Sequence, residues 1–172
     1  IQSELRDIGG NWYGLSSAGI YVAREVAAGH PRFERIDLPI GEAWSIAADG
    51  PDLLVAETYA LWRLPAPGSG AAHAITHDRL YPRQLLAAQS TPRRFYVGSE
   101  SGVSVLDLAN DPLPPELPQI DLGSTADSLV EISPGRLLVA TQTNGLFDVS
   151  VAADASLSSA ALAVGAHILK ML

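Results

Sequence analysis

The chain alternates short apolar runs with short polar turns. "FYVGSESGVSVLDL" at 95–108 sets two apolar runs around a polar turn containing Gly102. That is the pattern of two strands joined tightly. Three more pieces have the same form: "WYGLSSAGIYVA" at 12–23, "LLVAETYALWRL" at 53–64 and "LLVATQTNGLFDV" at 137–149.

The pieces recur at a fixed period. The small residue after each "WY", "LV" or "YV" is Gly14, Ala56, Gly98 or Ala140, so successive gaps are 42, 42 and 42. Leu38, Leu80, Leu122 and Val164 are also spaced by 42. Two independent landmarks with one spacing define a repeat.

Within 81–122, "RQLLAAQ" reads as a first strand, "FYVGSE" as a second, "GVSVLDL" as a third and "QIDL" as an outermost fourth, with "NDPLPPELP" as the loop before it. Four short strands per unit of about 40–50 residues is a β-propeller blade. The small residue is expected where a second strand meets the neighbouring blade, since Gly in mid-strand otherwise weakens it. A helical solenoid would need runs of 10–15 residues at 3.6 periodicity. Pro and Gly interrupt nearly every such window; only 157–172 could be helical, and its end aligns better with a strand.

The predicted fold is therefore all-β, a propeller of four-stranded blades at approximately 1–38, 39–80, 81–122 and 123–164. Residues 165–172 would begin a fifth blade, with 167–172 as its first strand. We expect a segment of a larger propeller, ahead of four blades closing alone or two chains pairing into one ring.

The blade pattern is clearest in "GNWYGLSSAGIYV", "RFYVGSESGVSVLDL" and "GRLLVATQTNGLFDVS". It resembles the two-component-regulator propeller repeat, whose consensus is similar to G-x-L-W-V-G-T-x-x-G-L. The resemblance spans all four blades. The copy at 53–64 departs most, with Ala60 where Gly is usual, and Trp12 is the only tryptophan at the position before the Tyr/Val–small pair. The resemblance implies a ligand-binding sensor module on the periplasmic or extracellular side of a membrane-anchored bacterial signalling protein, ahead of an output domain that 1–172 does not contain. The family brings no catalytic residues.

Composition narrows the chemistry. The chain has 172 residues, is 47% apolar and carries a formal charge of −8. It is too apolar for a disordered chain, and its acidity argues against nucleic acid. Without cysteine, thiolate catalysis and Cys-ligated metals are excluded. No apolar run reaches the roughly 20 residues a membrane helix needs.

Catalytic motifs are wanting. "GSESG" at 98–102 has Glu100 where a nucleophile elbow needs Ser. His73 and His77 would lie about 13 Å apart on a strand, too far to share an ion. His30 is isolated. Asp7, Asp49 and Asp52 sit in "DIGGN" and "DGPD", whose residues are turn formers. An axial metal or quinone site would need acids or histidines at equivalent positions of several blades, and those positions hold Gly41, Arg83, Thr125 and His167. No cofactor and no metal are expected.

Because strands in a blade alternate direction, the turns between strands two and three share a face with the connections between blades. That face gathers Glu57, Tyr59, Glu100, Gln142 and Asn144 from turns and Glu42, Arg83, Asp127 and His167 from connections. These are the candidate binding residues, for a small polar ligand or a protein partner. Tyr59, at the tip of a turn, could be an aromatic platform. Further blades or a second copy of the chain are the other expected partners. A protein-interaction scaffold is the alternative reading.

Overall fold

The computed structural model describes residues 4–8, 11–16, 18–25, 32–36, 42–66, 70–76, 80–109 and 116–163. Among these residues there is no helix; sixteen strands form four antiparallel sheets of four. The expected strand at 167–172, with His167, and the landmarks Leu38 and Val164 lie outside the described residues, as do His30 and His77.

Each sheet is a meander in chain order. The first holds β1 (Glu4–Ile8), β2 (Asn11–Ser16), β3 (Gly19–Glu25) and β4 (Arg32–Ile36). The second holds β5 (Ala43–Asp49), β6 (Asp52–Glu57), β7 (Leu61–Leu64) and β8 (His73–Ala74). The third holds β9 (Pro82–Ala87), β10 (Arg94–Ser99), β11 (Gly102–Asp107) and β12 (Gln119–Asp121). The fourth holds β13 (Ala126–Ser133), β14 (Arg136–Thr141), β15 (Gly145–Val151) and β16 (Leu157–Ala163). Residues 157–163, where a helix was conceivable, are a strand because β15 supplies a ladder for them.

The chain divides into two compact units, Ile1–Pro82 and Arg83–Leu172. The first has a core of Leu15, Ile20, Ala43, Ile46, Leu53, Val55 and Leu64. In the second, Tyr96, Val103 and Val105 of the third sheet pack on Leu129, Leu137, Val139 and Val149 of the fourth. Burying each such side chain contributes about 1.5–3 kcal/mol.

All four repeat-marking small residues lie on second strands: Gly14 on β2, Ala56 on β6, Gly98 on β10 and Ala140 on β14. At Gly98 the reason is visible. A Cβ there would sit 2.7 Å from the Ala126 carbonyl oxygen and 3.5 Å from Leu129 Cδ1, both on the first strand of the next sheet. The close approach of two backbones dictates the residue. Gly102 meets a similar limit within its own sheet, where a Cβ would overlap the carbonyl oxygen of Ile120.

Ion pairs brace the opposite ends of the second and third strands. Asp52, Arg94 and Arg136 hold one repeat position, 42 residues apart. Asp52 pairs with Arg63 on β7 (2.9 Å), Arg94 with Asp107 on β11 (2.9 Å), and Arg136 with Asp148 on β15. The charge order reverses between the second sheet and the next two while the brace persists.

Candidate functional site

The turns between second and third strands do meet the connections between sheets. In the unit of residues 83–172, Leu122 N donates to Ser101 O (2.8 Å) and Gln142 N to Thr125 O (2.9 Å). Asn144 Nδ2 donates to Leu122 O (2.8 Å), and Thr143 Oγ1 to Ser124 Oγ (2.8 Å). The first three of these bonds satisfy backbone groups in the turns and connections. They also seat two sets of polar side chains side by side on one face.

Arg83, Glu100 and Asp127 come together there. Arg83 is the second residue of β9, Glu100 stands in the β10–β11 turn, and Asp127 is near the start of β13. Arg83 Nη2 lies 2.7 Å from Glu100 Oε1. Glu100 is exposed and Arg83 half-buried. Partial burial pushes the Asp127 carboxyl above the usual carboxylate range, with the nearby Arg83 guanidinium acting against it. One guanidinium thus pairs with the Glu100 carboxylate and acts electrostatically on the exposed Asp127. Such a set can orient a polar ligand by charge-assisted hydrogen bonds. It holds no nucleophile–base pair.

Gln142 and Asn144 are exposed in the β14–β15 turn, the Asn144 side chain bracing the connection through Leu122. In the other unit Glu57 is buried, and its carboxylate accepts from the Tyr59 N–H (3.1 Å), so it shapes the β6–β7 turn. Thr58 Oγ1 faces Glu42 O at 3.5 Å, which sets half-buried Glu42 beside that turn. Tyr59 is 57% exposed. His167 lies outside the described residues. His73 is exposed on β8, the outermost strand of its sheet. No group of three or more potential metal ligands occurs among the described residues.

Sequence reasoning missed two polar centres. Glu131 is buried on β13. Its carboxylate accepts from Gln89 N (2.6 Å), Tyr96 OH (3.1 Å) and Gly135 N (2.8 Å). Gln89 and Glu131 are 42 residues apart, so the repeat itself held the signal. Burial, reinforced by the bond to Glu131, pushes the Tyr96 hydroxyl up to about 12. The second centre is Arg63, which joins Asp49 (2.9 Å) and Asp52 (2.9 Å). Asp49 and Asp52 are therefore ion-paired as well as turn-forming.

No family model matches the chain, and no curated protein matches it. Solved structures do. The N-terminal domain of Nup159 aligns with a TM-score of 0.59 at 13% identity, over 87% of this chain and 40% of that one. PorZ, an essential bacterial surface component of the type-IX secretion system of Porphyromonas gingivalis, aligns with a TM-score of 0.57 at 16% identity, over 91% of this chain and 22% of that one. The chain thus spans less than half the length of either neighbour. At these identities the likeness concerns the fold alone. With four antiparallel four-stranded sheets on a 42-residue repeat, the chain is a β-propeller protein.

Proposed function

We propose that this chain is a non-catalytic binding module that receives a small polar ligand or a protein partner on the face of the second-to-third-strand turns. The observation that carries this reading is the Arg83–Glu100 pair, 2.7 Å apart, with Asp127 beside it. Three charged groups from a turn and a connection converge on a rigid sheet end, where loops commonly carry binding. The opposite ends of the sheets hold braced turns: Arg94 pairs with Asp107 and donates to the Ala152 and Ala153 carbonyls (3.2 and 2.8 Å). Their polar groups are spent on structure.

The finer reading is the extracytoplasmic input region of a bacterial signalling protein. Its support is the two-component-regulator-like repeat across all four blades and the likeness to a bacterial surface component. A further blade belongs against the fourth sheet's outer face. There Leu138 and Ala140 are only half-buried, and Val130 is 44% exposed, whereas the equivalent Tyr96 of the third sheet is 1% exposed beneath β13.

The test is a thermal-shift screen of polar small molecules (amino acids, sugars, nucleotides and short peptides) against the chain and its Arg83→Ala and Glu100→Ala variants. Hits that lose their shift in both variants support the reading. Hits indifferent to both, or hydrolase, lyase or redox turnover by the purified chain, would count against it.

A further inference from the structure

Two aromatic side chains stand where the third repeat carries small residues. Tyr59, in the β6–β7 turn, is equivalent to Ser101 and Thr143, 42 and 84 residues on. Tyr81, in the connection after β8, is equivalent to Gly123, 42 residues on. In the third repeat the turn and the connection beside these positions are joined by the bond from Leu122 N to Ser101 O. In the second repeat the two tyrosine rings meet instead, centroids 5.7 Å apart and planes at 70°.

The backbone is held for this contact at a cost. Tyr81 has φ +45°, and Gly123 at the equivalent place has φ +67°. The left-handed region is natural for glycine and strained for a bulky residue. The turn beneath Tyr59 is fixed by three hydrogen bonds: Glu57 N to Ala60 O (3.0 Å), Tyr59 N to Glu57 Oε2 (3.1 Å) and Leu61 N to Thr76 Oγ1 (2.8 Å). Yet Tyr59 remains 57% exposed. A ring serving only to pack would be covered. This one meets a second ring in an edge-to-face contact and is open to water.

We infer that Tyr59 and Tyr81 form a recognition site for an organic cation, an ammonium or guanidinium group presented by a ligand. Ring faces attract cations through their quadrupole, and an edge-to-face pair offers more than one face to a single guest. The Glu57 carboxylate sits under the turn, accepting from the Tyr59 N–H, in a chain of charge −8. The site rests on the turn-face reading for its choice of surface, and adds the ligand's charge and the residues that read it.

The experiment titrates the isotopically labelled 172-residue chain with choline, and with 3,3-dimethylbutanol, its uncharged isostere, following amide shifts at 58–60 and 80–81. Choline should move these amides and bind about tenfold more tightly than the isostere. Tyr59→Ala should weaken choline about tenfold, while Tyr59→Phe keeps it. Tyr81→Gly should also lose choline, yet hold or raise the melting temperature, since glycine relieves the strain; a packing role alone would lower it. Equal binding of the two probes, or choline binding intact in Tyr59→Ala, overturns the site. Choline binding lost in Arg83→Ala and retained in Tyr59→Ala overturns the aromatic site while sparing the turn-face reading.

Discussion

At the scale of the residue, single atoms decide where side chains are permitted. Gly98 has no room for even one carbon, because the obstacle 2.7 Å away is a backbone oxygen that cannot rotate aside. Gly98→Val should lower stability by about 1–3 kcal/mol or more, read as a drop in denaturation midpoint. Ala140→Val, at a half-buried site, should cost clearly less. Equal losses would mean that the small residues serve strand geometry and not the approach of the next sheet. Tyr96 offers a second test. Its hydroxyl is pushed up to about 12, first by burial and then by its bond to Glu131. Because the folded value lies above the ordinary one, this contribution to stability is complete below pH about 10 and is lost as pH rises toward about 12. An absorbance titration should show a late tyrosine ionisation near pH 12. Replacing Tyr96 with Phe should remove that late step.

At the scale of the element, the hydrophobic pattern foretold strands well and polar partners poorly. Second and third strands carry dense apolar runs and were legible, down to the small residue each second strand needs. The fourth strand of the second sheet shrinks to His73–Ala74, in keeping with the Pro- and Gly-rich "PAPGSGAAHA" leading into it. What local sequence could not show was which acids are buried. Glu131 in "VEISPGR" and Glu57 in "VAETYA" look like wet turn-side residues, but each turns inward to accept backbone N–H groups. Those partners are set by strand register and, for Gln89, by packing 42 residues away. Arg63 likewise reaches from β7 to two aspartates that turn propensity already explained. Glu131→Leu should strand the Tyr96 hydroxyl and the Gln89 and Gly135 amides at once. Losing hydrogen bonds to a charged acceptor costs about 1.5–3 kcal/mol each, so we expect a loss of about 3 kcal/mol or more. A chemical-denaturation midpoint within error of the parent would show that the network contributes nothing.

At the scale of the whole molecule, four sheets of the same build present two kinds of surface. In Ile1–Pro82 the braced end carries Asp52–Arg63 while the turn end leaves Tyr59 exposed; in Arg83–Leu172 the braced end carries Arg94–Asp107 and Arg136–Asp148 while the turn end leaves Glu100 and Gln142 exposed. The candidate face was legible because strand alternation alone decides which turns share an end. The roles of its members were not, since Glu57 is buried and Arg83 is half-covered and paired. The central claim is that binding belongs to the face of the second-to-third-strand turns, and it can be measured without knowing the natural ligand. Amide shifts across the labelled chain, recorded against a panel of polar small molecules, map every contact at once. We expect shifts at 100–101, 123–127 and 142–144 that Arg83→Ala removes, and shifts at 58–60 that Tyr59→Ala removes, both unaffected by Arg136→Ala. Shifts clustered instead at 50–51, 92–93, 134–135 and 153–155, and removed by Arg136→Ala, would place binding on the braced face and contradict that claim.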